Sequence, residues 1–277
     1  MSKYQTITYE RKGRIAYLMF NRPEALNTMN DELERETRAA LLEYDLDDEA
    51  WVLILHGAGR CFCAGVDVRT HGSFALAADD KAREEGQVAA AKKGVIGAAQ
   101  HLLGTGGEGW MGRTINYKPV IAAVHGYALG GGAHIAAECD LVVVTEDASF
   151  ATSETSRGMS GSRTWAKIRT FMPSKVANEM LMTGSRIPGA ELYRLGLANR
   201  LVPNGEHLQA AEELAQKLLE APPLAVRDAV RVSRRLWVQH ATQLDHEMQL
   251  TRLDLTEDFK EAGRAFMEKR KPVFKAR

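Results

Sequence analysis

The chain has 277 residues, and its 36 Lys+Arg are balanced by 36 Asp+Glu, so the formal charge is zero. That balance leaves no electrostatic footprint for nucleic acid or an anionic membrane surface. With 45% hydrophobic residues, wholesale disorder is excluded and one large core is affordable.

Thr6–Tyr9 and Ile15–Phe20 are short β-rich runs separated by Lys12-Gly13, the pattern of a hairpin. Asn21-Arg22-Pro23 ends the second run, because proline cannot donate to a ladder. Asn30-Asp31-Glu32 opens an amphipathic helix with Leu33, Thr37, Ala40 and Leu41 on one face. Trp51–Leu55 reads as a buried strand closed by Gly57-Ala58-Gly59. Ala75–Leu103 is alanine-rich and predicted helical, with a flexible break at Gly104–Gly109. The pattern resumes with a strand at Val120–Val124, a glycine cluster, a helix over Ala133–Glu138, a strand at Leu141–Thr145 and a shorter one at Ala148–Phe150. Beyond Pro203 the spacing predicts helices over Glu206–Leu219, Pro223–His240 and Leu244–Arg270. The expected architecture is α/β: a core over residues 1–203 and a helical C-terminal region over residues 204–277.

Several apparent motifs carry no chemistry. Gly104, Gly106 and Gly109 have the spacing of a dinucleotide-binding fingerprint, but no buried strand leads into them, so they read as a loop. Gly158-Met159-Ser160-Gly161-Ser162 falls one glycine short of a nucleophile elbow. Cys61, Cys63 and Cys139 are too few for a disulfide scaffold, and the C-x-C pair lacks a second pair at zinc spacing; no metal is expected. His56 and His125 read as satisfied core residues. The first residues lack the apolar stretch of a signal peptide, and Pro119–Ala137 contains histidines and glycines that suit a bilayer poorly, so a soluble, cytoplasmic protein is predicted.

The informative feature is Gly126-Tyr127-Ala128-Leu129-Gly130-Gly131-Gly132-Ala133-His134. Consecutive glycines between an apolar strand and a helix leave backbone N–H groups uncovered, and such donors can hold a developing oxyanion. Close helix–strand packing explains the same glycines equally well. A second tight turn, Cys61-Phe62-Cys63-Ala64-Gly65-Val66-Asp67, follows the strand at 51–55. Together with Lys118-Pro119-Val120-Ile121-Ala122-Ala123-Val124-His125-Gly126, it resembles the crotonase family, the enoyl-CoA hydratase/isomerase superfamily. The resemblance runs from Asn21-Arg22-Pro23-Glu24-Ala25-Leu26-Asn27, through Gly196–Pro203, to Phe266–Pro272, nearly the whole chain.

That resemblance implies a spiral of strand–strand–helix turns and C-terminal helices that pack between subunits of a homotrimer or dimer of trimers. It implies an acyl-CoA substrate, with CoA arriving as part of that substrate and no further cofactor. The matching oxyanion donors are the N–H groups of Val66 and Gly131. Ala25 and Ala64 match positions that hold the CoA nucleotide, and Asp67 belongs to the same binding loop, whose shape it fixes. Of two acid/base carboxylates typical of the hydratases, one position is Glu154 and the other is occupied by His134. The stretch Ser160–Trp165 is bulkier than in the family, and the segment 71–117 is longer, which points to a large or unusual acyl group. The favoured reaction is hydration of a 2-enoyl-CoA with Glu154 as acid/base. Double-bond isomerisation, hydrolysis or C–C cleavage using His134, and acyl-CoA binding without turnover are the alternatives.

Overall fold

The computed structural model describes residues 3–67, 110–111, 114–159, 165, 167–236, 253 and 256–277. The predicted helix over Ala75–Leu103, the loop Gly104–Gly109 and the stretch 160–164 lie outside the described residues.

The chain opens with the expected hairpin, β1 (Ile7–Lys12) and β2 (Ile15–Phe20), turned at Gly13 with φ +61°. Helix α1 (Asp31–Leu46) begins where Asn30 Oδ1 accepts the Leu33 N–H at 2.9 Å, an N-cap of the usual kind. β3 (Val52–Gly57) and β4 (Val120–Val124) follow. After them come β5 (Tyr127–Leu129), α2 (Gly131–Glu138), β6 (Leu141–Thr145) and β7 (Ser149–Ala151). Next are α3 (Ser174–Thr183), β8 (Ile187–Pro188), α4 (Gly189–Arg194), β9 (Arg200–Val202) and α5 (His207–Leu219). Residues 223–236 form α6, and α7 spans Glu257–Met267.

The strands divide into two sheets. The larger has the order β1-β2-β3-β4-β6-β9 and is parallel from β2 onward; the smaller has the order β5-β7-β8. From β4 to β7 the chain alternates, β4 and β6 entering the large sheet and β5 and β7 the small one. Single bridges extend this stacking, with Cys63 beside Ala128 and Met29 beside Val66. The large sheet is covered on both faces, which is why β3 and β4 are apolar without alternation. Leu53, Leu55, Ala122 and Val124 meet Leu33, Tyr44 and Ile135 on one side. Ile54, Ile121 and Val143 meet Ala210, Ala211 and Leu214 of α5 on the other.

Buried polar groups fix the joints. The Lys118 ammonium lies inside the protein and donates to the carbonyls of Tyr44 (2.9 Å) and Asp47 (2.5 Å) at the C-terminal end of α1, where a cation suits the helix dipole. Asp45 accepts from Thr114 Oγ1 (2.6 Å) and the Ile115 N–H (2.7 Å), setting the approach to β4. Arg234 of α6 reaches into the core, pairing with Asp140 (2.5 Å) and donating to the carbonyls of Met111 and Lys118, each at 3.0 Å. All three cysteines are free and buried, and burial pushes the Cys63 thiol up to about 12, in keeping with packing residues.

Two expectations need correction. The single helix predicted over Leu244–Arg270 is not continuous: α7 starts afresh at Glu257, where Thr256 Oγ1 caps the Phe259 N–H at 3.1 Å. A capping hydroxyl offers the backbone an alternative partner, and the periodicity conceals the break. His125 is only half satisfied: Nε2 lies 3.0 Å from the Gly59 carbonyl, but Nδ1 is buried with no hydrogen-bond partner among the described residues.

The His125 ring stacks on His207 with centroids 4.3 Å apart. Burial, with His125 nearby, lowers His56 to about 4; burial, with His125 and His56 nearby, does the same to His207. Both rings stay neutral in the folded chain, whereas in the unfolded chain they take up protons near 6.5. The unfolded state thus binds more protons in that window, and stability falls as pH drops from 6.5 toward 4. Denaturant unfolding across this range should show a loss on the order of 3 kcal/mol from His56 and a smaller one from the more exposed His207. A His56→Leu/His207→Leu variant should lose most of that dependence.

The start of α2 presses on the 61–66 segment. A Cβ at Gly132 would sit 2.2 Å from the Cys63 carbonyl oxygen, a backbone atom that cannot swing aside. Gly132→Ala should therefore cost about 1–3 kcal/mol, read as a lowered thermal midpoint.

Candidate active site

The site is assembled from four short segments. The first is the turn after β2, where Leu26 and Asn27 adopt φ of 55° and 54°. Asn27 is wholly buried; its side chain accepts the Arg22 N–H (2.9 Å) and donates to the carbonyls of Ala58 and Cys61 (both 2.8 Å), knotting this turn to the next loop. The Ala64 N–H donates to the Leu26 carbonyl at 3.1 Å, which holds the loop of Ala64 against the turn that follows Ala25. Asp67 forms an ion pair with Arg22 at 3.0 Å, and Arg22 also donates to the Thr28 carbonyl. Asp67 thus ties its loop to the first turn.

The second segment carries Val66. Met29 donates to the Gly65 carbonyl and accepts from the Asp67 N–H, both at 2.8 Å. In such a parallel bridge the residue between, Val66, turns its own N–H away from Met29. Gly65, at φ +105°, makes this possible; a Cβ there would lie 2.9 Å from the Leu129 carbonyl oxygen.

The third segment is the glycine turn. Gly130, at φ +51°, donates its N–H to the Ala151 carbonyl at 2.8 Å. The first intrahelical bond of α2 runs from His134 N–H to Gly130 C=O at 2.9 Å, so Gly131 stands ahead of it with its N–H uncommitted by the helix. A Cβ at Gly131 would lie 3.5 Å from Val66 Cγ2, so the start of α2 packs against the Val66 side chain.

The fourth segment follows β7 and carries Glu154. A Cβ at Gly130 would lie 3.6 Å from Glu154 Oε1, so the carboxylate lies against the glycine turn. Its other oxygen, Oε2, is out of reach of solvent and has no hydrogen-bond partner among the described residues. Burial raises the Glu154 carboxyl above the usual range, and the nearby His134 and Arg157 only partly offset this. Arg157 itself stacks on the Phe266 ring of α7, 4.5 Å from its centroid, and makes no ion pair with Glu154. Close by, Gly158 lets the α7 backbone approach: a Cβ there would lie 2.8 Å from Phe259 Cα.

His134 joins this group, and with it a residue that the sequence did not single out. His134 Nε2 stands 2.6 Å from Glu138 Oε1, one turn further along α2, and Glu138 is completely buried. Glu138 Oε2 accepts the N–H groups of Trp110 and Met111, the latter at 3.0 Å. Burial alone would raise Glu138, but His134, Lys167 and the Met111 N–H prevail and hold it below the ordinary carboxylate range. Lys167, also buried, is lowered by desolvation to about 8 despite the opposing pull of Glu138 and Asp140. The signal for Glu138 was present as an i, i+4 pair with His134, yet a helix-end glutamate ordinarily faces water.

Among the described residues no cluster of histidine, cysteine and carboxylate side chains could hold a metal ion, and no helix is long and apolar enough to cross a membrane.

Comparison with known proteins agrees with this geometry. A family model described as Enoyl-CoA hydratase/isomerase matches residues 10–277. A protein of Rhizobium meliloti named "Probable enoyl-CoA hydratase" is 33% identical, over 99% of this chain and 99% of its own length. The carnitinyl-CoA dehydratase of Escherichia coli K12 is 32% identical, again over 99% of both. The crystal structure of carnitinyl-CoA hydratase from Mycobacterium avium superposes with a TM-score of 0.79 at 33% identity, over 99% of this chain and 100% of that one. The fold is thus shared along nearly the whole length, and the chain belongs to the enoyl-CoA hydratase/isomerase family.

Proposed function

We propose that the chain catalyses the reversible addition of water to a 2-enoyl-CoA thioester. The N–H groups of Val66 and Gly131 hold the thioester oxygen, and Glu154 and His134 move the protons. The observation that carries this reading is Glu154: a buried carboxyl with an unpartnered oxygen, lying against the glycine turn.

In the hydration direction, the water oxygen bonds to Cβ while the Cα=Cβ electron pair moves toward the thioester carbonyl, whose oxygen becomes an enolate. The two N–H groups meet that charge as it develops, and fixed donors in a site shielded from water stabilise it without reorganising. Water gives up one proton and Cα gains one, so the sum is one water consumed. A carboxyl whose burial favours its protonated form is suited to giving a proton at near-neutral pH and to taking one back in the reverse direction. His134, beside it, supplies the second proton-transfer group where the sequence has no second carboxylate. Relatives whose names read hydratase and dehydratase support the reading, since these words denote one reaction written in two directions. Ala25 and Ala64, on the knotted loops, are placed to hold the CoA portion through their backbone.

Mass spectrometry of an acyl-CoA panel in H₂¹⁸O tests the proposal. Wild type should add ¹⁸O to the acyl chain, and Glu154→Gln should lower kcat by about 10²- to 10⁴-fold, the usual contribution of a positioned acid or base. A shifted double bond without ¹⁸O, or ¹⁸O in a released acid, would replace hydration by isomerisation or hydrolysis. The oxyanion assignment is tested at Gly131, the first residue of α2, where proline fits a helix but removes the donor. A Cβ at Gly131 would meet Met29 Cε at 2.0 Å, so the comparison is made in a Met29→Ala background. Met29→Ala/Gly131→Pro should turn over about 10²- to 10³-fold more slowly than Met29→Ala. Equal rates would remove Gly131 from the mechanism.

A further inference from the structure

The two oxyanion donors assigned above belong to different elements, Val66 to a loop edge and Gly131 to the start of α2. Two N–H groups serve one oxygen only at a set separation, and a shift of about 1 Å is enough to lose most of the benefit. One side chain outside the proposed chemistry touches both elements. It is Met29.

The Met29 backbone belongs to the loop edge. It donates to the Gly65 carbonyl and accepts from the Asp67 N–H, both at 2.8 Å, so its bonds bracket Val66. Its neighbours in sequence are pinned as well. The Thr28 carbonyl accepts from Arg22, which also pairs with Asp67, and Asn30 caps α1. The Met29 side chain is buried and reaches α2. A Cβ at Gly131 would lie 2.0 Å from Met29 Cε and 3.8 Å from Sδ, so the thioether methyl fills the space that a side chain there would need. Val66 Cγ2, 3.5 Å from the same point, borders that space from the loop. At Gly132 the approach of α2 is limited by main chain, the Cys63 carbonyl. At Gly131 it is limited by the end of an unbranched, adaptable side chain.

We propose that Met29 is the positioning residue of the oxyanion pair: its backbone fixes the edge that carries Val66, and its methyl sets how far the first residue of α2 stands from that edge. The inference rests on Val66 and Gly131 holding the thioester oxygen. Met29 exchanges no proton and makes no bond to substrate. It acts on the rate through the spacing of the two N–H groups alone.

The test exploits the shared space. Met29→Ala vacates it, and adding Gly131→Ala refills part of it from the opposite side, with Val66 Cγ2 at ordinary contact distance. The probe is butanoyl-CoA carrying ¹³C at the thioester carbonyl, a saturated thioester that cannot add water. Hydrogen bonds to its oxygen lower the carbonyl stretching frequency, read by infrared difference spectroscopy. Wild type should lower it relative to the free thioester. Met29→Ala should lower it less and reduce kcat for a 2-enoyl-CoA by about 10²-fold while still binding the probe. Met29→Ala/Gly131→Ala should regain part of both. Met29→Leu conserves volume but ends one atom short of Cε; it should fold and change both readouts in the same direction, by less. A wild-type frequency and kcat in folded Met29→Ala or, if that variant does not fold, in Met29→Leu would make Met29 a core filler and overturn the proposal. A double variant that regains thermal stability but neither readout would overturn it too. If Met29→Ala keeps the wild-type frequency and Met29→Ala/Gly131→Pro loses it, the oxyanion reading stands and this inference falls. An unshifted carbonyl in the wild-type complex removes both.

Discussion

The site depends on one steric constraint, the approach of the α2 N-terminus to the loop that follows β3. Gly132 comes so close to the Cys63 carbonyl that no side chain fits between them, and Gly65 meets the Leu129 carbonyl in the same way from the opposite loop. These two contacts lock a helix start and a loop edge into register, and the positions of Val66 and Gly131 follow from that. Apolar burial of the large sheet supplies most of the driving force, but it does not by itself fix this register. Backbone proximity does, and it needs glycine on both sides.

Much of the fold was legible because its strands are buried on both faces. Val120–Val124 and Leu141–Thr145 are uninterrupted apolar runs, and the structure has strands with those bounds. Tyr127–Leu129 was not legible: three residues inside a glycine cluster become a strand only through pairing with Ser149–Ala151, an element distant in sequence. The α2 start was placed two residues late because glycines read as loop, although a tertiary contact makes them the first helical turn. For the site, the two glycine-rich turns carried their own physical signal. Glu154 did not, since nothing local distinguishes it from a surface glutamate; only the likeness to a family pointed to it. Glu138 escaped both routes, because its burial is decided by Trp110, Met111 and Lys167, none of them near it in sequence.

Charge is distributed in the interior with the same economy. Asp140 pairs with Arg234, and the Lys167 charge helps hold the Glu138 carboxyl below the ordinary carboxylate range, as buried ions require. The first pair is structural, joining α6 to the loop between α2 and β6. Asp140 stands in the loop just past the helix that ends at Glu138, and changes at these two positions should not be expected to have the same phenotype.

The reach of Arg234 also has a bearing on how the molecule is made. Its guanidinium bonds to the Met111 and Lys118 carbonyls and to Asp140, and Met111 in turn donates to Glu138. Synthesis runs from the N-terminus, so the two glycine-rich loops and His134 emerge long before residue 234 is available. The nascent chain therefore carries Glu138, Asp140 and residues 111–118 before the helix that ties them together has been made.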